Sequence, residues 1–367
     1  MTAPDWDAAR ALAADQALLP VDELAVVAAA GTVLAEDVRA PGPVPHYDSS
    51  AMDGWAVAGD APWTVSDALR PGGAVAIVTG GLVPSGADAV IPAERGRVRD
   101  GVLQAEAPPA GAHIRRAGEE APAGTVLAAA GTRLSPAHAA VLGIAGIDRV
   151  RVRRRPTVVL VLTGDEVVRE GRPAPGRVRD AFEPLLPVAI SRLGGAVLRL
   201  MRTGDDEAAI AAAVAGEEDL VVTVGGTGRS SADRLRRALG DVQPVFDGVA
   251  MRPGHPTLLG AGPRPVLSLP GNPLAAVVAL LSFLPPVLDG LTGAVPQPLR
   301  TAPAAVDLPG WRGTSLVPCR LTATGLQPAD SARPNMLRGL AASDVLAVVP
   351  AAGLQAGAHA RLLPLPW

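Results

Sequence analysis

The spacing of apolar positions changes regime along the 367-residue chain. Between residues 5 and 36, Ala, Leu and Val recur at helical spacing, broken at Pro20 and stopped by Gly31 ahead of LAEDVRA. The PGPVP run then ends regular structure. From about 44 to 125 the apolar runs are brief: AVAIVTG, ADAVIPAE, GRVRDGVLQAEA and GTVLAAAGT are separated by Gly, Pro and Asp, the rhythm of a small all-β domain. RRRPTVVLVLTGDEV, from Arg153, opens a third regime. It predicts a buried strand at Val158 to Leu162, a helix near Glu183 to Leu193, a strand at Ala196 to Leu200, a helix at Asp206 to Ala215 and a strand at Asp219 to Val224. Strands alternating with helices of that length predict a parallel, doubly wound sheet. Past Pro285, a Pro-rich segment leads to SLVPCRL, DVLAVVP and ARLLPLP, which fit a terminal β domain.

The predicted fold class is multidomain α+β, with one doubly wound α/β domain, small β domains and an N-terminal helical segment. The expected division is residues 1–44 with 126–152 as an elongated helical and linker domain, 45–125 as an inserted β domain, 153–292 as the α/β domain and 293–367 as a C-terminal β domain.

Composition narrows the partners. Charged residues are 19% and the formal net charge is -3, which gives no electrostatic case for nucleic acid or an anionic membrane surface. A single cysteine excludes an internal disulfide framework and a cysteine-rich metal site. Asp5 and Asp7 stand where a signal peptide would be basic, and the apolar run Leu274 to Leu284 is too short for a bilayer and runs into Pro285 and Pro286. The expectation is a cytoplasmic protein with a small-molecule or protein partner. All 33 basic residues are arginine, so an Arg in place of a Lys reflects composition, although the two differ in hydrogen-bond geometry.

Ligands of open α/β sheets lie beyond the carboxyl ends of the strands, and three loops leave such ends. TGDE carries Thr163, Gly164, Asp165 and Glu166. VGGTGRSSAD carries Gly225, Gly226, Thr227, Gly228 and Asp233, with glycines that let amides approach a phosphate. SLPGNP stiffens a turn through Pro270, Gly271, Asn272 and Pro273. Asp165, Glu166, Asp180 and Asp233 at one rim beside a phosphate site suggest Mg²⁺ with hard oxygen ligands, although each alone reads equally well as a cap or turn residue. MRPGHP offers Arg252 and His255 as oxyanion donors in a rigid turn, or simply a solvent-facing turn.

Taken in order, VPHYDSSAMDGWAV, VTGGLVPSGADAVIPAE, IRRAGEEAPAGTVLAAAGTRLSP, TGDE, VAMRPGHPTLLG and SLPGNP resemble the molybdopterin molybdenumtransferases, the MoeA and gephyrin E-domain family. The resemblance covers most of the chain. It implies a molybdopterin-binding, MogA-like α/β domain in a four-domain subunit of an elongated homodimer. The implied activity releases AMP from adenylylated molybdopterin and inserts molybdate at its dithiolene, helped by Mg²⁺. Asp53 matches an active-site aspartate that faces the other subunit's α/β domain. Thr79, Gly80, Glu120, Glu166 and Asp233 fall in or near that cleft, with Glu120 an acidic match for an aspartate. The implied metal-placing residues are Glu166 and Asp233, and a molybdopterin adenylyltransferase or an acceptor molybdoenzyme is the implied protein partner.

The departures are specific. AMKPGKP becomes AMRPGHP, a common serine becomes Ala275, and a terminal Gly-Ser motif is lost at Arg333-Pro334. The usual DSN is reduced to Asp180 with Ala181 and Phe182, and GGTGRSSAD resembles the adenylyltransferase loop instead. Removing one preorganised oxyanion donor costs ~3 kcal/mol of transition-state stabilisation. Three readings therefore stand: a molybdenum transferase, a catalytically weakened paralogue that binds or carries the cofactor, and a dimeric interaction scaffold.

Overall fold

The computed structural model describes residues 3–204, 206–225, 242–262 and 264–367. The chain divides into two compact units, Met1–Asp22, Gly31–Val33 and Arg153–Trp367 in one, Glu23–Ala30 and Leu34–Val152 in the other.

The first unit is organised by the strand Thr157–Thr163, whose five central residues are all buried. Side chains alternate across a strand, so Val158, Leu160 and Leu162 join a core with the helices Leu186–Leu193 and Pro273–Thr292, while Val159 and Val161 join another with the helix Glu207–Val214. An uninterrupted Val/Leu run is what two buried faces require. The sheet has six strands in the order Ala196–Thr203, Thr157–Thr163, Leu220–Val224, Val266–Leu269, Leu258–Ala261, Gln243–Asp247. The first four are parallel, Leu258–Ala261 runs antiparallel to both of its neighbours, and Gln243–Asp247 therefore runs in the direction of the first four. The expected parallel sheet is thus mixed, because Leu258–Ala261 reaches Val266 through too few residues for a crossover.

Chain order places the strand after Thr157–Thr163 on one side of it and the next strand on the other. The topological switch point therefore falls between Thr163 and Val224, where a crevice is expected. The first helix begins at Leu186, later than expected. Asp180 accepts the backbone N–H groups of Phe182 at 2.8 Å and Glu183 at 3.4 Å and holds those residues in a turn.

Two departures have one cause. The apolar run does not stop at Pro285 and Pro286 but continues as one helix, Pro273–Thr292, which among the described residues is the one helix long and apolar enough to cross a membrane; 83% of its most apolar window is buried in the protein. A proline cannot donate to the carbonyl four residues back, so Pro286 leaves the Ser282 carbonyl without its helical partner. Arg10 donates to that oxygen at 2.5 Å, and Trp6 Nε1 donates to Ser282 Oγ at 2.9 Å. Trp6, Ala9 and Ala13 are fully buried on this surface. The N-terminal helix, Trp6–Ala14, consequently belongs to the α/β unit and not to a 1–44 linker domain. Helical spacing past Pro20 also gives way to a strand at Asp22–Ala25 and a single 3₁₀ turn.

The C-terminal residues form a separate sheet in the order Met251–Arg252, Thr314–Thr322, Val345–Val349, His359–Pro364, Thr301–Pro303. Its core holds Cys319, Leu326, Ala347 and Val349. Burial pushes the Cys319 thiol up to about 11.

The second unit carries a six-stranded sheet in the order Ala89–Pro92, Gly54–Ala58, Gly73–Ile77, Trp63–Val65, Val102–Gln104, Arg97–Arg99. Val57, Trp63, Ile91 and Leu103 fill its core. A second cluster packs Leu142 of the helix Pro136–Ile144 against Val26, Leu34, Val150 and Val152. That helix opens with a reciprocal cap between Ser135 and His138.

Two expectations follow. Arg10→Met keeps the packing stem but strips the Ser282 carbonyl of its charged donor, and should cost on the order of 2 kcal/mol, read as a lower urea midpoint and faster amide exchange in Trp6–Ala14. Asp219, at the foot of the sheet, accepts from both Arg154 nitrogens and from Thr157. Burial alone would push its carboxyl up, but these donors outweigh burial and hold it below the ordinary carboxylate range. Its stabilisation is complete above about pH 4 and is lost as pH falls through the lowered folded value. Asp219→Asn should flatten the acid limb of a stability-pH curve, and an unchanged limb would refute this assignment.

Candidate functional site

Three strand ends meet in the first unit. Gly225 has φ 94°, and a Cβ there would lie 2.5 Å from Thr163 Oγ1. Thr163 Oγ1 donates to the Val224 carbonyl at 3.1 Å, and Gly225 N donates to the Leu269 carbonyl at 3.2 Å. A Cβ on Gly271 would be 3.6 Å from Gly225 Cα. Only glycine at 225 lets the ends close this tightly.

Around them lies a cavity of about 690 Å³. Thr163, Gly164, Glu166, Asp180 and Gly225 line it from the first two loops and the crossover. Pro270, Gly271, Asn272 and Pro273 line it from the stiff turn. The sequence-predicted residues thus converge at the switch point, although Gly226, Thr227, Gly228 and Asp233 lie outside the described residues. Asp165 lines an adjoining space of about 320 Å³ with Arg169, Arg202 and Thr203.

The carboxylates differ in availability. Asp180 is spent internally, with one oxygen on the turn amides and the other on Arg202, and only 4% of its side chain is exposed. It is a wall of the cavity and not a free ligand. Glu166 is exposed, and its carboxylate has no partner among the described residues. No cluster of three metal-ligating side chains occurs among the described residues.

Arg252 and His255 do not line this cavity. Arg252 Nε donates to Ser315 Oγ at 2.9 Å, and its guanidinium lies 5.4 Å from the Trp311 ring centroid. It does so because Met251–Arg252 pairs as an edge strand with Thr314–Thr322 of the C-terminal sheet. His255 Nδ1 is 2.7 Å from the Val249 carbonyl and closes its own turn. The turn reaches the cavity through Pro256. Among the described residues, these two side chains therefore stand apart from the lining of this cavity.

Sequence reasoning missed Arg179 and Asn335, which also line the cavity. Arg179 was visible as an arginine immediately before Asp180. Asn335 carried no signal, since it follows the Arg333-Pro334 departure and enters from a distant segment. The Pro334 carbonyl accepts Leu274 N at 2.9 Å and Ala275 N at 3.3 Å. The N-terminal amides of the helix Pro273–Thr292, which would otherwise attract an anion, are thus satisfied by the chain itself.

In the second unit, HYDSSAMDG splits into braces and one presented group. Tyr47 Oη donates to the Gly80 carbonyl at 3.0 Å, and Asp48 pairs with Arg116 at 2.7 Å and accepts Ala117 N at 2.7 Å. Ser50 Oγ donates to the Met52 carbonyl at 2.6 Å. Asp53 is exposed and accepts Thr79 N at 2.6 Å. The Thr79 amide, then its hydroxyl, holds the Asp53 carboxyl below its usual range. Gly54 has φ 154°, and a Cβ would fall 1.9 Å from the Ile91 carbonyl. Glycine there lets Gly54–Ala58 pair against Ala89–Pro92 directly after the aspartate. Glu120 is exposed in the same unit.

Residues 5–146 match the MoeA N-terminal region (domain I and II), and residues 159–290 match a probable molybdopterin binding domain. The fold is that of a solved molybdopterin biosynthesis MoeA protein from Pyrococcus horikoshii, at TM-score 0.77 and 24% identity over 99% of both chains. These features define a multidomain protein of the MoeA type. A molybdopterin molybdenumtransferase 2 from Mycobacterium tuberculosis is 34% identical over 76% of each chain. One from Synechococcus elongatus is 31% identical over 78% of this chain and 80% of its own. The chain belongs to the molybdopterin molybdenumtransferase family.

Gly54→Ala should disrupt the Asp53 loop and lower the thermal midpoint of the protein by several degrees, whereas Gly42→Ala, where a Cβ meets nothing within 4 Å, should leave it unchanged. Equal midpoints for both variants would refute the backbone argument.

Proposed function

We propose that this chain acts in molybdenum cofactor biosynthesis, inserting molybdate into adenylylated molybdopterin with release of AMP. The reading rests most on the strand-end cavity, in which Thr163, Glu166, Gly225 and the Pro270–Pro273 turn converge within a chain of this family. The relatives carry the transferase name, which favours it over a carrier or a scaffold.

In this reading the phosphate-bearing part of the substrate lies at the Gly225 strand end, where a glycine-rich segment lets backbone approach a phosphate closely. The Pro-rigid turn through Gly271 and Asn272 excludes water from one side. Asp53, kept ionised by Thr79, is supplied by the β unit of a second copy, which makes a homodimer necessary for a complete site. Apart from the N-terminal helix, the four-domain division of the chain is retained.

Magnesium fits the donor set. It keeps several waters and takes one or two carboxylates plus substrate phosphates, so the free Glu166 carboxylate, with Asp233, would hold it, and no closed protein cage is needed. Bound there, it would neutralise the phosphate charge. A molybdopterin adenylyltransferase is the fitting supplier of substrate and a molybdoenzyme the fitting recipient of product.

The test is AMP release and molybdenum-loaded cofactor formation by purified protein with molybdate and Mg²⁺. Asp53→Ala and Glu166→Gln should each lower AMP release by about a hundredfold, and Glu166→Gln, which breaks no hydrogen bond among the described residues, should leave the urea midpoint in place. Equal rates in wild type and Asp53→Ala would remove that aspartate from the site.

A further inference from the structure

We propose that Arg179 is the phosphate-holding side chain of this crevice, a role that rests on the transferase reading above. The argument starts from charge. The proposed substrate brings a phosphoanhydride, and a crevice that takes it needs a cation or free amide donors. Among the described residues, the other donors expected from the sequence do not open into this cavity, and the glycine loop past Gly225 lies outside them. Arg252 is bonded to Ser315 and lies over Trp311, and His255 faces the Val249 carbonyl. The helix amides at Leu274 and Ala275 are taken by the Pro334 carbonyl. Of the charged side chains lining the cavity, Asp180 is neutralised by Arg202, and Glu166 is itself anionic.

Arg179 remains. It lines the cavity, its side chain is exposed, and among the described residues it has no hydrogen-bond or ion-pair partner. Its backbone is nevertheless fixed. Val167–Val168 pairs with Val178–Arg179, Val178 N donates to the Glu166 carbonyl at 3.0 Å, and Asp180 N donates to the Val168 carbonyl at 2.9 Å. Arg177 donates to the Asp165 carbonyl. These bonds tie the strand carrying the guanidinium to the TGDE loop that carries Glu166. A rigidly rooted but unpaired guanidinium suits bidentate recognition of phosphate oxygens, because little backbone order is lost on binding. Arg179 and Glu166 then divide the work: one meets phosphate oxygens directly, the other through magnesium.

The experiment compares wild type, Arg179→Ala, Arg179→Lys and Arg172→Gln, the last an exposed arginine of the same crossover that does not line the cavity. Affinity for adenylylated molybdopterin and for AMP is measured by calorimetry, and AMP release is resolved into kcat and KM. Arg179→Ala should weaken both affinities by about tenfold to a hundredfold, with the larger effect on KM. Arg179→Lys should recover part of the loss, and Arg172→Gln should match wild type. Wild-type affinity in Arg179→Ala overturns the assignment, as does an equal loss in Arg172→Gln. Wild-type protein that binds both ligands but releases no AMP overturns the transferase step alone, and wild-type protein that binds neither overturns both.

Discussion

The strand Thr157–Thr163 must hide both of its faces from water, and the architecture of the α/β unit answers that requirement. Val158, Leu160 and Leu162 need one layer of helices, and Val159 and Val161 need another. With both faces closed and the Thr157 hydroxyl at the amino end engaged by Asp219, polar chemistry has access at the strand's carboxyl end, where Thr163 carries the next hydroxyl. The crevice thus lies beyond a strand that has no other open surface.

That constraint explains what the amino-acid pattern made legible. The alternating strands and helices from Val158 to Val224 could be read because burial on two faces writes an unbroken apolar run, and the three loops at its ends could be read because glycine, proline and hydroxyl residues cluster there. The one reversed strand, Leu258–Ala261, was not legible as such: a strand's own composition does not state its direction, which here is decided by a short connection. Nor did Pro285-Pro286 terminate their helix: of the two ladder bonds lost, the one to the Ser282 carbonyl is replaced by Arg10, a residue no local window includes. Local rules fail where a long-range contact compensates for them.

Within the site, motif order located the neighbourhood better than it assigned roles. Thr163, Gly225 and Asn272 face one cavity because glycine at 225 lets three strand ends close up. Arg252 and His255 do not join them, since a two-residue pairing with the terminal sheet decides where that turn faces, and no composition rule reveals the pairing. In the β unit, much of the conspicuous polarity of HYDSSAMDG is internal scaffolding through Tyr47, Asp48 and Ser50, which leaves Asp53 presented from a braced loop.

The union of Trp6 with Ser282 spans 276 positions. During synthesis the opening helix therefore emerges long before the segment it must cover, and the apolar stretch around Pro285 in turn emerges needing a lid made much earlier. Completion of the α/β unit is deferred to the late stages of translation, with an amphipathic piece held in waiting. Such non-local closure slows assembly and leaves apolar surface open in the interval.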